Sequence, residues 1–412
     1  TKFWADRKYF MEFKAIGTHV GGDQEAIRRL QTSSARYYQR PESGLLYDTT
    51  RTRLTGMGAS FEIGKGSKGH WRYSEEVVVR TPGLEFNDLG FMKLANTIEN
   101  DTRLTYVEKE NQWIFKEYEV SVSQDNIWNL QGKGLKNSLE LEADFHFLNH
   151  LALSLGAEYE TGILDEQRLR GGPSIREPDR LHYMISMNTD DSKKLFFNFF
   201  VMYMHRLTGN FHFFIISPQL HYRPFSNLHL SLDAAYEQDL DPLQYVGRYE
   251  GHTVRPLWLL GTVDKRDLSL TLRIDLAITP ELTIQYYGSP FFSIGQFSEL
   301  KEVTHSMDAK YENRFKIVPY KDQGREYWLD RDNHGDYDLH IDNPGFNYQQ
   351  FRSNLVLRWE YRPGSTLYFV WSQDRTGYHQ AGPFSFGDGY KLLGEAYPGN
   401  VFMIKLNFWF GS

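Results

Sequence analysis

Polar and apolar residues alternate along many stretches of this chain. In the clearest stretch, 268–278, leucines and isoleucines alternate with mostly polar residues that include Arg273 and Asp275. After a turn at 279–281 the alternation resumes over 282–286. Successive side chains of a strand point to opposite faces, so this pattern predicts a β-hairpin with one apolar and one polar face.

The same pattern recurs in other segments, and Pro- or Gly-containing turns separate several of them. Counting alternating runs of nine residues or more predicts about 16 to 20 strands. A helical spacing of apolar residues is visible at 24–31. Further predicted hairpins cover 139–159, 211–234 and 355–371.

The amino-acid composition favours a transmembrane barrel over a soluble domain. Aromatic residues make up 16% of the 412 residues, yet the mean hydropathy is only −0.55. A transmembrane barrel combines these properties, because lipid-facing and lumen-facing residues average out and aromatic residues line both membrane boundaries. The sequence contains no run of 18 apolar residues, so it predicts no membrane-spanning helix. The fold class we predict is all-β: a transmembrane antiparallel outer-membrane β-barrel over residues 1–410.

A soluble β-sandwich or repeat protein is the alternative, since its strands also alternate. Soluble strands usually have about five or six residues. The alternating runs here are longer, and their apolar face carries rows of leucine and phenylalanine with some tryptophan. We therefore favour the membrane barrel.

The last strand predicts an orientation. Residues 401–410 alternate and end in Phe408 and Phe410, which resembles the membrane-insertion signal at the C-terminus of bacterial outer-membrane barrels. We expect a periplasmic C-terminus, short periplasmic turns and long extracellular loops near 296–348 and 376–399. The start at Thr1 predicts a processed or incomplete N-terminus, and residues 411–412 are expected to be a tag-linker remnant.

The polar faces of the predicted strands carry charges of both signs. An open pore would use them to select solutes, whereas a closed barrel would pair them with one another or with a plug. We also expect Glu85, Asp88 and Arg170 to form an internal network of ion pairs. The candidate lumen-lining residues are Glu140, Glu142, Asp144, Arg273, Asp275, Arg358 and Glu360.

One segment of the long loop, 330–342, resembles part of a calcium-binding loop. Oxygen-bearing residues alternate there, with Gly335 at the sixth position, where a sharp turn is needed. His334 and Ile341 occupy positions that usually hold oxygen ligands, so a solvated acidic loop is the favoured alternative. The candidate Ca²⁺ ligands are Asp330, Asp332, Asp336 and Asp338.

Aromatic residues are frequent in the same loop. With acidic neighbours they could stack on a sugar or a peptide, but we favour packing of the loop into a lid, because long ordered loops need a core of their own. They include Tyr311, Phe315, Tyr320, Tyr327, Trp328, Tyr337 and Phe346.

Several function classes are disfavoured. There are no cysteines, which excludes disulfides and thiolate chemistry. The net charge of −7 argues against a nucleic-acid partner. No hydrolase, zinc or phosphate-loop motif is present, so we expect neither an enzyme nor, apart from the calcium alternative, a cofactor.

Several blocks are similar to a Bacteroidota-type family of outer-membrane barrels catalogued as a domain of unknown function (5916). The resemblance covers almost the whole chain and implies the barrel fold and the outer membrane, without a settled activity. It also implies an upstream module that resembles family 9 carbohydrate-binding modules. The blocks are 33–41, 51–56, 81–91, 169–173, 287–291, 354–365 and 400–410.

Two functional hypotheses follow. The first is a porin-like conduit or uptake protein in the lipid bilayer, for glycans or another small solute, with the 296–348 loop gating its mouth. The second is a non-conducting barrel that serves as an assembly or scaffold subunit for other outer-membrane proteins. We lean towards the conduit because of the charged polar faces and the carbohydrate module that the resemblance implies.

Overall fold

The computed structural model describes residues 1–4, 6–87, 90–250, 256–337, 339–380, 382 and 385–410. It contains one antiparallel sheet of 18 strands, which confirms the predicted all-β fold class. The first eight strands are β1 (Lys2–Trp4), β2 (Tyr9–Gly21), β3 (Arg53–Lys65), β4 (Trp71–Arg80), β5 (Thr97–Glu108), β6 (Phe115–Asn129), β7 (Gly134–Phe147) and β8 (Ala152–Thr161).

The remaining elements either complete this sheet or lie in the connections between its strands. The strands are β9 (Leu164–Asp165), β10 (Ile175–Arg176), β11 (Arg180–Asn188), β12 (Leu195–Arg206), β13 (His212–Phe225), β14 (Leu228–Tyr249), β15 (Leu257–Ala277), β16 (Leu282–Val303), β17 (Phe315–Ile317), β18 (Tyr320–Asp322), β19 (Glu326–Leu329), β20 (Leu339–Asp342), β21 (Phe346–Arg362), β22 (Ser365–His379) and β23 (Gly399–Asn407). The helices are α1 (Gln24–Gln31), α2 (Phe386–Glu395) and a 3-10 turn at Tyr311–Arg314.

Strands of the large sheet pair with their neighbours in chain order. The ladder runs from β1 to β8, crosses to β11, continues to β16, and passes through β21 to β23. The short strands β9 and β10 form a separate pair, and β18–β20 form a third small sheet. Within the described residues, β23 has no strand partner other than β22.

The sheet is polar inside and apolar outside. On β7, Leu139 and Leu141 are about half exposed, whereas Ser138 is buried on the other face. Ser121 and Ser123 of β6 are buried in the same way. A water-soluble protein shows the opposite distribution. This inversion is typical of a wall between lipid and a polar interior.

Aromatic side chains collect at one end of the strands. Trp71 at the start of β4 contacts Tyr106 near the end of β5, with ring centroids 5.2 Å apart. Tyr118 and Phe145 extend this belt onto β6 and β7. Aromatic rings favour the boundary between lipid and water because they combine an apolar body with a polarisable or polar edge. The belt therefore indicates one boundary of a membrane layer.

The two ends of the sheet differ in their connections, as the barrel prediction requires. We call the end with the aromatic belt the turn end and the opposite one the loop end. The turn end has the connections 66–70, 109–114, 148–151, 189–194, 226–227, 278–281 and 363–364. The loop end has the long connections 22–52, 81–96, 162–179, 304–345 and 380–398.

The longest connection is shorter than predicted. We expected it at 296–348, but β16 continues to Val303 and β21 begins at Phe346. Strands β14, β15 and β16 have 22, 21 and 22 residues, and the connection packs against their extended ends. Residues 411–412 lie outside the described residues. The shared apolar cluster includes Leu257, Leu259, Leu300, Val318, Tyr327, Leu329 and Ile341.

Helix α1 forms where its spacing predicted it. Asp23 caps the N-terminus, since its carboxylate accepts a hydrogen bond from the backbone N–H of Ala26 at 2.7 Å. Ile27 is buried with Tyr38 and Leu54. No helix among the described residues is long and apolar enough to cross a membrane.

We expect the two faces of β15 to respond differently to a new charge. Leu272 lies on the exposed apolar face, so Leu272→Arg should lower the free energy of unfolding in lipid vesicles by about 2–4 kcal/mol. Urea-induced unfolding followed by tryptophan fluorescence measures this change.

The matched control is Thr271→Arg, one residue away on the polar face. It should unfold within about 1 kcal/mol of the native chain, because lumen-facing charges remain solvated. Equal losses in both variants would contradict the assignment of the two faces.

Candidate functional site

The inner wall of the sheet carries the charged residues that the sequence singled out. On β7, Glu140, Glu142 and Asp144 alternate with the exposed leucines and share the polar face. Arg103 of β5 lies 3.3 Å from the Glu142 carboxylate and 3.9 Å from that of Glu140. The hydroxyl of Ser154 donates to Asp144 at 2.5 Å.

The other predicted lining residues lie on β15 and β21. Arg273 is 3.6 Å from Asp233, and Gln285 donates to Asp275 at 3.1 Å. Arg358 and Glu360 pair within β21 at 2.8 Å. The three arginines each lie near a carboxylate, whereas Asp144 and Asp275 accept from the neutral side chains of Ser154 and Gln285, so the wall is hydrophilic and carries paired and unpaired carboxylates.

The connection 81–96 folds against the inner face of β3. Leu84 is buried there, and a Cβ at Gly56 would lie only 1.9 Å from its backbone nitrogen. Glycine at this position is what lets the two backbones touch. The connection 22–52 adds Arg36, whose buried side chain lies 2.9 Å from the Glu85 carboxylate and also donates to the Leu84 carbonyl.

A third connection, 162–179, meets the first two. The side-chain amide of Gln167 donates to the carbonyls of Ser34 at 2.5 Å and Lys93 at 3.1 Å. Arg40 and Glu166, both buried, pair at 2.8 Å. These contacts join connections that leave the sheet at β2, β4 and β8.

The same connection also reaches the far strands. A Cβ at Gly172 would lie 2.2 Å from the indole nitrogen of Trp258 on β15. The guanidinium of Arg170 lies over the Tyr245 ring of β14 at 4.9 Å. The connections 22–52, 81–96 and 162–179 therefore pack together across the loop end, and we call them the closure.

Ion pairs hold the closure to the wall. The fully buried carboxylate of Glu177 lies 2.6 Å from Arg168 and 2.9 Å from Arg206, and it also contacts Arg180. Asp241 of β14 accepts from Arg168 at 2.9 Å and from Arg206 at 3.1 Å. We call these five residues the latch. The three arginines and two carboxylates of the latch have a net charge of one positive unit, and each carboxylate contacts at least two arginines.

Electrostatics keep the centre of the latch ionised. Burial by itself would raise the pKa of Glu177, but Arg168, Arg206 and Arg180 outweigh burial and hold the pKa well below its ordinary value. Asp165 shows the opposite balance, because burial and the nearby Glu177 charge raise its pKa. Glu177 therefore remains a carboxylate at physiological pH.

The turn end contains an open cavity of about 740 Å³. Arg223, His229, Asp275, Gln285 and Arg358 contribute to its lining, so two of the predicted lumen residues lie there. The cavity is large enough for a small hydrophilic molecule. The loop end thus holds the closure, whereas the turn end offers space.

Sequence reasoning missed the latch. Arg206 and Asp241 lie on β12 and β14, outside the predicted hairpin at 211–234. Arg168 and Glu177 lie in a segment without periodicity, so nothing in the sequence linked the four residues. The only available signal was the Gly- and Pro-containing block 169–173, which indicated a structured loop. Of the network considered among Glu85, Asp88 and Arg170, Glu85 pairs instead with Arg36; Asp88 lies outside the described residues, so its pairing stays a prediction.

The calcium alternative gains little from the geometry. The carboxylate of buried Asp330 accepts from the backbone N–H of His334 at 3.1 Å and of Gly335 at 2.8 Å. Asp332 lies 3.1 Å from the His334 ring, and Asp336 is exposed. Gly335 has a φ of +93°, which the tight turn requires. The carboxylate of Asp330 closes this turn; Asp338 lies outside the described residues, and calcium stays a prediction.

One group of possible metal ligands lies elsewhere, on the inner wall. Ligand atoms of Glu158, Glu160 and His182 lie within 4.8 Å of one another. Lys136 is 2.9 Å from Glu160 and 3.6 Å from Glu158, and Arg180 is 3.5 Å from Glu160. These two cations already balance the carboxylates, so the group is explained as an ion-pair cluster.

A family model described as "Domain of unknown function (DUF5916)" matches residues 29–411. No match to a curated protein was found.

Two solved structures resemble the fold at low similarity. The siderophore receptor PirA from Acinetobacter baumannii shares 10% identity at a TM-score of 0.38, with 96% of this chain and 68% of that chain covered. The ferric enterobactin receptor PfeA shares 10% identity at a TM-score of 0.37, with 89% of this chain covered. The match spans 64% of the PfeA chain, which is less than two thirds of its length.

We expect Glu177→Gln to loosen the closure. The change leaves three buried or half-buried arginines without their main carboxylate, which should cost about 3–5 kcal/mol. Amide hydrogen exchange across 162–179 should accelerate by a factor on the order of a hundred. Exchange followed by mass spectrometry in detergent or nanodiscs measures the effect.

Glu25→Gln provides the control. Glu25 also pairs with two arginines, Arg28 and Arg29, but all three are exposed on α1. Exposed pairs contribute little, so exchange in 162–179 should stay unchanged. A similar response to both substitutions would show that burial of Glu177 is not what holds the closure.

Proposed function

Starting from its membership of the family described as a domain of unknown function (DUF5916), we propose that this chain forms an outer-membrane β-barrel that takes up a small hydrophilic solute. One observation carries this proposal: a charged, hydrophilic inner wall ends in a closure held in part by ion pairs, whereas the turn end contains an open cavity. We infer that the structure represents the closed state.

The inverted polarity supports a place in the membrane. An exposed band of leucine, phenylalanine and isoleucine is stable in lipid, and a spanning sheet satisfies its backbone groups when it closes on itself. The rings of Phe408 and Phe410 lie 4.6 Å apart next to the turn end. We propose that the turn end faces the periplasm and the loop end faces outside, as in other outer-membrane barrels.

The inner wall supports passage of a solute. Its arginines are paired, as Arg103 is with Glu142 and Arg358 with Glu360, and its other polar groups offer hydrogen bonds to a neutral or zwitterionic solute. A glycan fits this chemistry. Its support is the resemblance to proteins that carry a carbohydrate-binding-like module.

The closure supports gating by a different segment from the one predicted. Connection 304–345 packs on the extended strands through the apolar cluster around Leu257 and Leu300. The closure packs through smaller apolar clusters around Ile27, Leu84 and Leu169, and it adds buried ion pairs and hydrogen bonds, which water or a polar solute can replace. We therefore assign the gate to the closure and give 304–345 a supporting role.

The alternative is the non-conducting scaffold. The burial of Glu177 and Arg206 favours it, because such a latch opens only at a substantial cost. Both functions predict little current through the native chain. They differ once the closure has been removed.

We expect removal of the closure to open a channel. Gly21 pairs with Arg53, Arg80 with Thr97 and Glu160 with Arg180, so tight hairpins can replace 22–52, 81–96 and 162–179 without stretching the strands. In planar bilayers the triple replacement should give steady single-channel conductance where the native chain is silent. Vesicles containing it should swell in small sugars.

Replacement of 332–336 at the exposed tip of the long connection is the control and should leave the channel silent. Heat-modifiable migration in gels verifies that each variant is folded. A folded and inserted triple replacement that passes no current would reject the conduit and leave the scaffold.

A further inference from the structure

A group of polar side chains interrupts the apolar outer wall on strands β4–β7. Cross-strand partners share a face of the sheet, so the register places these side chains together in two rows. One row crosses β4, β5 and β6, and the next crosses β5, β6 and β7. We call them the polar patch: Glu75, Thr102 and Gln124 in the first row, and Asn100, Asn126 and Asn137 in the second.

Apolar side chains border the polar patch. Ile63 of β3 is the partner of Glu75, and Leu139 of β7 is the partner of Gln124. Leu104 and Val122 form the next row towards the turn end. All four are exposed, with 38–50% of their surface accessible. Ile98 and Trp128 form the next row towards the loop end, so the polar patch lies within the apolar band.

Some side chains of the polar patch form hydrogen bonds with one another. Thr102 donates its hydroxyl to Glu75 at 2.5 Å, and the amide of Asn100 donates to the same carboxylate. The Asn126 amide reaches Asn100 at 3.5 Å. Among the described residues, the side chains of Gln124 and Asn137 have no hydrogen-bond partner.

Free amides are costly in a bilayer. Moving an amide from water into hydrocarbon costs several kcal/mol of free energy when the amide has no hydrogen-bond partner there. A polar surface at this depth is therefore stable only against another polar surface. Asparagine and glutamine carry both a donor and an acceptor, so a surface rich in them is complementary to a second copy of itself.

We propose that the polar patch is a contact between two copies of this chain within the membrane. A two-fold axis along the membrane normal, passing beside β6, sets β6 of one copy against β6 of the other. The two Gln124 amides and the two Asn126 amides then meet at the axis, and Asn100 faces Asn137 of the other copy. The same axis keeps the two Glu75 carboxylates apart, each bonded within its own chain.

This contact rests on the membrane location proposed above, but not on the conduit. The charge pattern distinguishes it from other occupants. A basic partner segment would require an unpaired carboxylate, whereas Glu75 is already bonded to Thr102 and Asn100. A hydrocarbon chain would leave the amides of Gln124 and Asn137 unpaired.

The absence of cysteine from the sequence makes cross-linking a clean test. In the outer membrane, Gln124→Cys supplies the only thiol of these 412 residues, and a copper–phenanthroline oxidant joins two such thiols into one disulfide. We expect most of Gln124→Cys to migrate as a covalent dimer without reductant. Leu232→Cys, on the exposed apolar face of β14, should remain monomeric.

A second variant tests whether the amides cause the contact. Gln124→Cys combined with Asn100→Leu, Asn126→Leu and Asn137→Leu should lose at least tenfold of the cross-link while remaining heat-modifiable. Equal cross-linking at Leu232→Cys would overturn the proposal, because it indicates random collision. So would an adduct with a different protein, or a cross-link that survives the leucine changes.

The membrane location is checked separately with a water-soluble maleimide. Leu232→Cys should react slowly in intact membranes and quickly after unfolding. Rapid labelling of the folded protein would reject the location itself, whereas slow labelling without a Gln124→Cys dimer would reject only the contact.

Discussion

The rest of the structure depends on the antiparallel ladder of backbone hydrogen bonds. Because the strand ladder satisfies the peptide groups, side chains need not bury an apolar core to hold the sheet together. The outer face can then be apolar, as Leu139 and Leu272 are, while Ser121 and Ser123 fill the inner face. This freedom is what allows a chain with a mean hydropathy of −0.55 to present a lipid-compatible wall.

The loop end shows how the chain adds tertiary structure to that wall. The connection 304–345 packs through one large apolar cluster on long strands, whereas the closure combines smaller apolar clusters with buried ion pairs centred on Glu177. Buried ion pairs contribute less net stability than apolar packing but demand one geometry. A segment that must hold one closed arrangement and still be released suits such contacts better than an apolar plug.

Polar groups appear on both faces of the sheet for different reasons. On the inner wall, charges such as Arg103 and Glu142 pair across strands and keep the surface hydrophilic. On the outer wall, the polar patch around Asn126 is isolated among exposed leucines and valines. Position relative to lipid, more than residue type, therefore decides whether an amide is a lining group or a site of contact.

Alternation along the chain was enough to predict the strands, their two faces, the hairpins and the helix at 24–31, because each depends on local periodicity. The faces of Glu140 and Arg273 followed from the same rule. The latch could not be predicted, since Arg168, Arg206 and Asp241 are joined only when a connection without periodicity folds back onto distant strands. The sequence by itself determined the wall, through side-chain alternation. Only the tertiary structure decided how the loop end is closed and which polar residues meet, because those contacts depend on long-range chain geometry.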